Sequence, residues 1–462
     1  MTVRNRMIIL GVVSSLLYAV LAFIAYHYQT SATTPWGGSF KAILLVINML
    51  LVVVYWFAFI SVKSVNGKSI IKIIFLFSAV FSVIMIFTPP IGSADVYNYA
   101  YRARINTVYD ENPYIVATGE HSGDMFYDFS PKEWNYLTMQ YGPFWTSVSI
   151  LFSNITKNSF FWNVFIYKLL ALVSFFGVAF LLRKILQKFN PGMEMKGLFL
   201  YLWSPIIIFE AINNAHNDMF MMFVVVFAIY LLMKKWYILA AIMLLLSILT
   251  KYIPLLILPV FVFYIFRDIQ ETRKKVNFVW VSGILAIIIS VIFYLPFWEG
   301  IKTFNGLFEQ SKIFTYANFS LFPGIIYWVS YVIGSSLSWS RESLSEVARI
   351  SGLIAFVVLY VWLINNYFRG KFTYYIYYSF MILFVYIFFY LTYLQPWYFI
   401  WLIPLATLID KKYFPQFILI CTLAGLLSYT IVMNSLIYVF IFMLIILMSL
   451  VTNKNYLLKF LK

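Results

Sequence analysis

Residues 197–233 read GLFLYLWSPIIIFEAINNAHNDMFMMFVVVFAIYLLM, two apolar runs separated by a polar centre. As one continuous helix, the segment would be roughly 55 Å long at 1.5 Å per residue. The hydrocarbon core of a bilayer is only about 30 Å thick. The segment therefore predicts a helical hairpin in a membrane, with residues 209–218 at its tip.

The same kind of apolar run fills most of the chain. Hydrophobic residues make up 63% of the sequence and charged residues only 11%, whereas a soluble domain carries about 25% charged residues. This composition excludes a soluble enzyme and a disordered protein, and the one cysteine, Cys421, excludes an internal disulfide. We predict an all-α polytopic membrane protein with about 12–14 transmembrane helices in one domain over residues 1–462. The further runs lie near 7–27, 40–62, 70–90, 159–182, 236–266, 277–297, 347–367, 372–393, 395–409 and 413–451, of which 236–266 and 413–451 are also long enough to be hairpins.

The formal net charge of +16 would suit a nucleic-acid surface if the charge formed one patch. Instead, about two thirds of the 33 Lys and Arg residues fall in the termini and short connections on one side of the predicted helices, together with few acids. This asymmetry is the positive-inside signature of a cytoplasmic face. We expect a multi-pass protein of the plasma membrane with both termini in the cytoplasm. The excess charge would contact anionic lipid, and no nucleic-acid partner is expected.

Two longer polar segments, 91–140 and 298–346, are predicted to be external loops inserted into the membrane domain. The first is acidic, and Asp95 lies near its start, after two prolines and a Gly-Ser pair. In a helix that begins there, Asp95, Tyr99 and Arg102 would share one face. The alternative is that the Asp95 side chain only caps the helix.

Three further polar clusters fall where apolar runs turn, on the same predicted outer side as Asp95. Polar groups at such places are rare in membrane proteins and are often functional. Each has an ordinary alternative: a loop tip satisfied by water, a lysine that snorkels to the interface, and an aromatic interfacial anchor. Because four clusters meet on one face, we favour a functional site. The three clusters are Glu210-Ala-Ile-Asn-Asn-Ala-His216-Asn217-Asp218, Lys251-Tyr252 and Gln395-Pro396-Trp397.

These residue types suit glycosyl transfer from a lipid-linked sugar. A carboxylate can take the proton of an acceptor hydroxyl. Lys and Arg can hold a phosphate and stabilise it as it departs, and aromatic rings can lie against a sugar. A Rossmann-type glycine fingerprint for a nucleotide is absent from the sequence. Two alternatives remain open: a lipid-linked glycan polymerase or ligase, and a lipid or glycan transporter.

At these residues the sequence resembles the GT-C superfamily of integral-membrane glycosyltransferases, in particular the bacterial polyprenyl-phosphate-mannose-dependent mannosyltransferases. The resemblance implies a catalytic Asp in the first external loop, matched here by Asp95. Many relatives carry paired acids in that loop. This chain has a single Asp followed by Val, although Asp218 or Glu210 could approach in space. The motifs that carry the resemblance are Gly92-Ser-Ala-Asp95-Val-Tyr-Asn-Tyr99, Asn112-Pro113-Tyr114, Tyr141-Gly-Pro143-Phe-Trp145, Ser204-Pro205, His216-Asn217-Asp218, Thr250-Lys251-Tyr252 and Gln395-Pro396-Trp397-Tyr398.

We therefore expect a glycosyltransferase that moves a hexose, mannose by analogy, from a polyprenyl phosphate to an acceptor hydroxyl at the outer membrane face. The acceptor would be a glycolipid, a wall polymer or a protein. Asp95 is the expected catalytic base. No cofactor is expected and no spacing commits to a metal, while a divalent cation between Asp95 and the donor phosphate is left open. The expected donor phosphate and sugar site consists of Arg102, Lys251, Tyr252, His216, Asn217, Asp218, Glu210, Gln395, Trp397 and Tyr99.

Overall fold

A computed structural model describes residues 1–28, 38–62, 67–311, 320–334, 339–367, 371–392 and 394–430. These residues form helices and no β-strand, as the composition predicts. The α-helices are α1 Val3–Tyr28, α2 Gly38–Val62, α3 Lys68–Phe87, α4 Asp95–Thr107, α5 Pro143–Thr156, α6 Phe160–Phe189, α7 Glu194–Leu202, α8 Pro205–Ile207, α9 Asn217–Met233, α10 Tyr237–Ile248, α11 Leu258–Asp268, α12 Thr272–Tyr294, α13 Asn305–Ser311, α14 Leu321–Gly334, α15 Arg341–Asn366, α16 Phe372–Val385, α17 Phe399–Thr407 and α18 Phe414–Leu427.

Within the described residues, seven helices are long and apolar enough to cross a membrane: α1, α2, α3, α6, α12, α15 and α16. A bent pair, Pro191–Leu202 and Pro205–Asn213, makes an eighth if it counts as one span. Shorter apolar helices include α9, α10, α14 and α18. The polytopic all-α membrane fold is thus confirmed, and the total of 12–14 crossings stays a prediction.

The first predicted hairpin is broken where its polar centre lies. Helix α7 ends at Leu202, and α8 continues as a π-helix over Ile208–Asn213 before α9 begins at Asn217. Pro205 favours the break because its ring removes a backbone N–H. The run 236–266 is divided in the same way, by a 3₁₀ turn over Ile253–Ile257. The predicted hairpin 413–451 lies outside the described residues beyond residue 430.

The core of the bundle is built from α3, α6, α7, α9, α16 and α17, which pack against one another. Helices α12 and α15 lie at the periphery, because only 6% and 17% of the residues in their apolar 18-residue stretches are buried. Trp280, Ile287 and Leu295 of the α12 region are exposed large apolar side chains. A soluble protein rarely exposes so much apolar surface to water, so these two helices face lipid.

The first predicted loop is attached to the bundle near its end. Near its end, the Gly142 N–H donates to the Thr250 carbonyl at 3.1 Å, and the Phe144 N–H donates to the Leu249 carbonyl at 3.0 Å. A Cβ at position 142 would lie 2.1 Å from the Leu249 carbonyl oxygen, so only glycine fits this approach. The contact fixes the loop beside Lys251.

The second predicted loop, 298–346, contains α13 and α14 and the first turn of α15. Within its apolar stretch 319–337, the structure forms helix α14 over Leu321–Gly334. Residues 312–319 and 335–338 lie outside the described residues.

Candidate active site

Asp95 is the first residue of α4, but it does not cap the helix. The cap position is Ala94, and no side-chain cap bond forms there. Instead, the Asp95 carboxylate lies 3.5 Å from the Tyr99 hydroxyl, which donates to it, and 3.3 Å from His216 Nδ1. Its side chain is 24% exposed. The capping alternative is therefore wrong, and the carboxylate is free to face a ligand.

His216 lies buried between two carboxylates. Its Nδ1 is 3.3 Å from Asp95 Oδ2 and its Nε2 is 3.2 Å from Glu210 Oε2, within ion-pair range but without the alignment of a hydrogen bond. The Trp397 ring stacks on the imidazole at 4.2 Å, with 20° between the ring planes. Glu210 is fully buried and accepts hydrogen bonds from Asn214 Nδ2 at 3.1 Å and from the Tyr429 hydroxyl. We call Asp95, His216 and Glu210 the acid cluster.

The contacts in the acid cluster set the charge of its members. Burial alone would lower the pKa of His216, but the contacts with Asp95 and Glu210 raise it to about 9. Burial alone would raise the pKa of Asp95, yet His216, Lys251 and Tyr99 together lower it below its usual value. At neutral pH the site therefore holds a cationic imidazole and an ionised Asp95.

A second group of residues, the lysine cluster, consists of Lys251, Asp218 and Trp401. Lys251 Nζ lies 2.8 Å from Asp218 Oδ1, and Trp401 Nε1 donates to the same oxygen at 2.5 Å. Asp218 is fully buried, whereas the Lys251 side chain is 18% exposed. The ammonium also lies 5.5–5.8 Å from the ring centroids of Tyr141, Tyr398 and Trp401, within the range of a cation–π contact.

The two clusters are neighbours. The Tyr99 ring, whose hydroxyl contacts Asp95, lies edge-on to the Tyr141 ring at 5.4 Å, and Tyr141 in turn faces Lys251. Residues 216–218 also contribute to both clusters. Asn217 is buried, its backbone N–H donates to the Tyr99 hydroxyl at 3.4 Å, and its side-chain amide has no hydrogen-bond partner among the described residues.

Three predicted site residues are placed differently. The buried Arg102 guanidinium bonds to Asn98 Oδ1 at 2.9 Å and to the carbonyls of Leu137 and Trp134, so it fastens the loop. The Tyr252 hydroxyl pairs with that of Tyr294 at 3.0 Å, outside both clusters. Gln395 is buried at the start of the turn that carries Trp397. Their predicted roles in donor binding stay predictions.

The predicted site set lacks Trp401, which belongs to the lysine cluster, and also lacks Tyr141, Tyr398 and Tyr429, which contact the two clusters. Tyr141 stands in a motif quoted above, beside the Gly-Pro pair that ends the loop. Tyr429 lies in a polar Ser-Tyr-Thr triplet inside a long apolar run, and this interruption could have marked it as a site residue. Trp401 follows Trp397 by one helical turn within an aromatic stretch, and nothing local singles it out.

The described residues contain no group of three or more His, Cys, Asp or Glu side chains placed to hold a metal ion. The carboxylates of both clusters already face His216, Lys251 or other donors. The divalent cation left open by the sequence would therefore need ligands from the substrate, and it stays untested.

The fold and the site together define a membrane protein whose apolar helical bundle carries two neighbouring clusters of ionisable side chains. Residues 7–267 match the MptA_B family model, described as the N-terminal domain of alpha-(1->6)-mannopyranosyltransferase. Because this match covers more than half of the chain, the protein belongs to that family. It is a membrane mannosyltransferase, which confirms the predicted resemblance. A search of curated proteins found no match.

Proposed function

We propose that the protein transfers mannose from a polyprenyl-phosphate donor to an acceptor hydroxyl at the outer face of the plasma membrane. The observation that carries the proposal is the pairing of the two clusters. One cluster presents a partly exposed carboxylate, Asp95, and the other presents a partly exposed ammonium, Lys251. Transfer from a sugar phosphate needs both, because one bond forms at a hydroxyl while another breaks at a phosphate.

In the proposed reaction, Asp95 accepts the proton of the acceptor hydroxyl as the hydroxyl oxygen attacks C1 of the mannose. The bond between C1 and the phosphate oxygen breaks, and its electron pair leaves with the polyprenyl phosphate. An ionised carboxylate with a lowered pKa is a weak base. Proton transfer therefore proceeds as the new C–O bond forms, when the hydroxyl has become acidic.

Lys251 would act on the donor. A polyprenyl-phosphate sugar carries one negative charge on its phosphodiester, and the departing phosphate gains a second. A cation already held in place stabilises the charge that develops in the transition state. Asp218 pairs with the ammonium, and Trp401 donates a hydrogen bond to the same Asp218 oxygen. The rings of Tyr141, Tyr398 and Trp401 lie around the ammonium and suit an apolar sugar face.

The position of the site along the helices supports a location at the outer face. The contact between His216 and Trp397 joins the turn at 209–218 to the turn at 395–398. The contact between Lys251 and Tyr141 joins the turn at 250–254 to the end of the first loop. The basic segments 183–196, 267–275 and 410–412 lie at the opposite ends of the same helices. Basic connections face the cytoplasm, so the site would face outward and the termini inward.

The test is a transfer assay with purified protein in nanodiscs. We expect radiolabelled mannose to leave a polyprenyl-phosphate donor and to appear in a glycolipid, wall polymer or protein acceptor, while a nucleotide-linked mannose gives no transfer. Transfer from the nucleotide donor would contradict the proposal. Movement of intact donor across a vesicle membrane without cleavage would favour a transporter, and transfer of a whole lipid-linked glycan would favour a polymerase or ligase.

A further inference from the structure

Lys168 is a buried lysine in the first third of a candidate membrane-spanning helix, α6. Its side chain is 3% exposed, and no ion pair with it occurs among the described residues. Its Nζ donates a hydrogen bond to the Thr88 carbonyl at 2.5 Å. An ionisable side chain within a span is costly and usually has a function. The two clusters of the candidate site do not use this one.

The carbonyl that Lys168 holds ends helix α3 and begins the connection to α4. The next two residues, Pro89 and Pro90, have no backbone N–H, so neither of them can donate a backbone hydrogen bond. Asn213 Nδ2 donates to the carbonyls of Thr88 at 3.0 Å and Pro89 at 2.9 Å. The Ile91 N–H donates to Asn213 Oδ1 at 2.8 Å and to Asn214 Oδ1 at 2.9 Å.

This connection leads directly to both halves of the acid cluster. Asp95 follows Ile91 by four residues, and His216 follows Asn214 by two. Asn214 also donates from Nδ2 to Glu210 Oε2 at 3.1 Å. The position of Asp95 relative to His216 is therefore set by how residues 88–91 are held against Asn213 and Asn214.

We propose that Lys168 is a positioning residue for sugar transfer, which holds the Thr88 carbonyl and thereby fixes the contact between Asp95 and His216. The inference rests on the proposed function. Among the described residues, no hydrogen bond or ion pair joins Lys168 to a member of either cluster. Its long stem reaches the connection from inside the apolar bundle, and its Nζ donates to the Thr88 carbonyl.

The first measurement compares Lys168→Met with Lys168→Gln. Met removes the donor and keeps the apolar stem, whereas Gln keeps a neutral donor on a shorter stem. We expect Lys168→Met to lower kcat by about tenfold or more, since small misplacements of reacting groups are costly, with the KM for the donor unchanged. Lys168→Gln should recover part of that loss. Lys184→Met is the matched control, because Lys184 lies on the same helix with an exposed side chain, and it should keep wild-type turnover.

The decisive measurement is a double-mutant cycle with His216→Gln. If Lys168 acts through the contact between Asp95 and His216, then Lys168→Met should cost less than about threefold once His216 is absent. The same loss in both backgrounds would overturn the inference, because it would show a general structural role. If Lys168→Met does not fold, Lys168→Gln takes its place in the cycle. Failure of the proposed function can be told apart from failure of this inference, because in the first case the wild type itself would not use the lipid donor.

Discussion

The acid cluster and the lysine cluster are built alike but present opposite charges. In the acid cluster, the carboxylate Asp95 is partly exposed, and its cationic partner His216 is buried. In the lysine cluster, the ammonium Lys251 is partly exposed, and its carboxylate partner Asp218 is buried. In each case a buried group lies within ion-pair distance of the partly exposed group that can meet a substrate.

The two clusters differ in how their charges balance. His216 has two carboxyl neighbours, so the acid cluster contains two carboxyl groups for one imidazole. Lys251 and Asp218 form a one-to-one pair. Removing one member of a buried pair leaves the other uncompensated and destabilises the protein. Experiments on Lys251 must therefore also neutralise Asp218, whereas Asp95 can be changed alone.

The largest effect is expected for Asp95→Asn, which keeps the size of the side chain but cannot accept a proton. Turnover should fall by about 10²–10⁴, the usual contribution of a general base, and this is measured in the transfer assay. Asp110→Asn is the control, because Asp110 is an exposed acid of the same loop with φ 57°, which asparagine also adopts. A folded Asp95→Asn protein with wild-type turnover would refute the role of the acid cluster.

The next effect is expected for the double variant Lys251→Met with Asp218→Asn. Losing a charge-assisted contact to phosphate costs about 1.5–3 kcal/mol, or about ten- to hundredfold in affinity for the donor. The dependence of turnover on donor concentration measures it. Lys235→Met is the control, because Lys235 pairs with Asp268 and its side chain is 67% exposed. A defect confined to the acceptor would show that the lysine cluster does not bind the donor phosphate.

His216→Gln should lower the maximal rate about tenfold, because Asp95 loses the partner that positions it, and should also shift the pH profile. Without the imidazolium, Asp95 loses the contact that lowers its pKa, while the burial that raises this pKa persists. The acid limb of the pH–rate profile should therefore move to higher pH, with a several-fold loss of turnover at acid pH. An acid limb that stays in place would mean that His216 does not control the charge of Asp95.

The same imidazole predicts how stability depends on pH. The pKa of His216 is raised from 6.5 to about 9, so its stabilising contribution is complete below pH 6.5 and is lost as the pH rises through 9. The unfolding temperature of the wild type should therefore fall over this range more than that of His216→Gln. Equal slopes in the two proteins would contradict the charged state of the acid cluster.

The smallest effect is expected for Tyr429→Phe, which removes one hydroxyl donor from Glu210 and leaves Asn214 in place. A single hydrogen bond contributes about 1 kcal/mol, so turnover should fall about three- to tenfold. Tyr360→Phe is the control, because it removes a hydroxyl bonded to the Leu256 carbonyl, outside both clusters. An unchanged rate would show that the Tyr429 hydroxyl does not support the acid cluster in turnover.

The sequence by itself determined the class of protein. Apolar runs longer than a bilayer crossing specify helices and hairpins, because an unpaired backbone polar group cannot be left in hydrocarbon. The polar centre of 197–233 also marked the break between α7 and α9, and the residues of both clusters, except for Trp401, stood in or beside recognisable polar turns. These signals are local: each depends on residues that are neighbours in the chain.

Only the tertiary structure decided which of these groups meet. Glu210 and Tyr429 are 219 residues apart in the chain but form a hydrogen bond. His216 stacks on Trp397, which lies in a different connection between helices. Arg102 shares a predicted helix with Asp95, yet its guanidinium faces the loop carbonyls. Such pairings depend on how helices cross and where they break. Packing sets those angles, and the repeat of apolar residues along one helix carries no information about them.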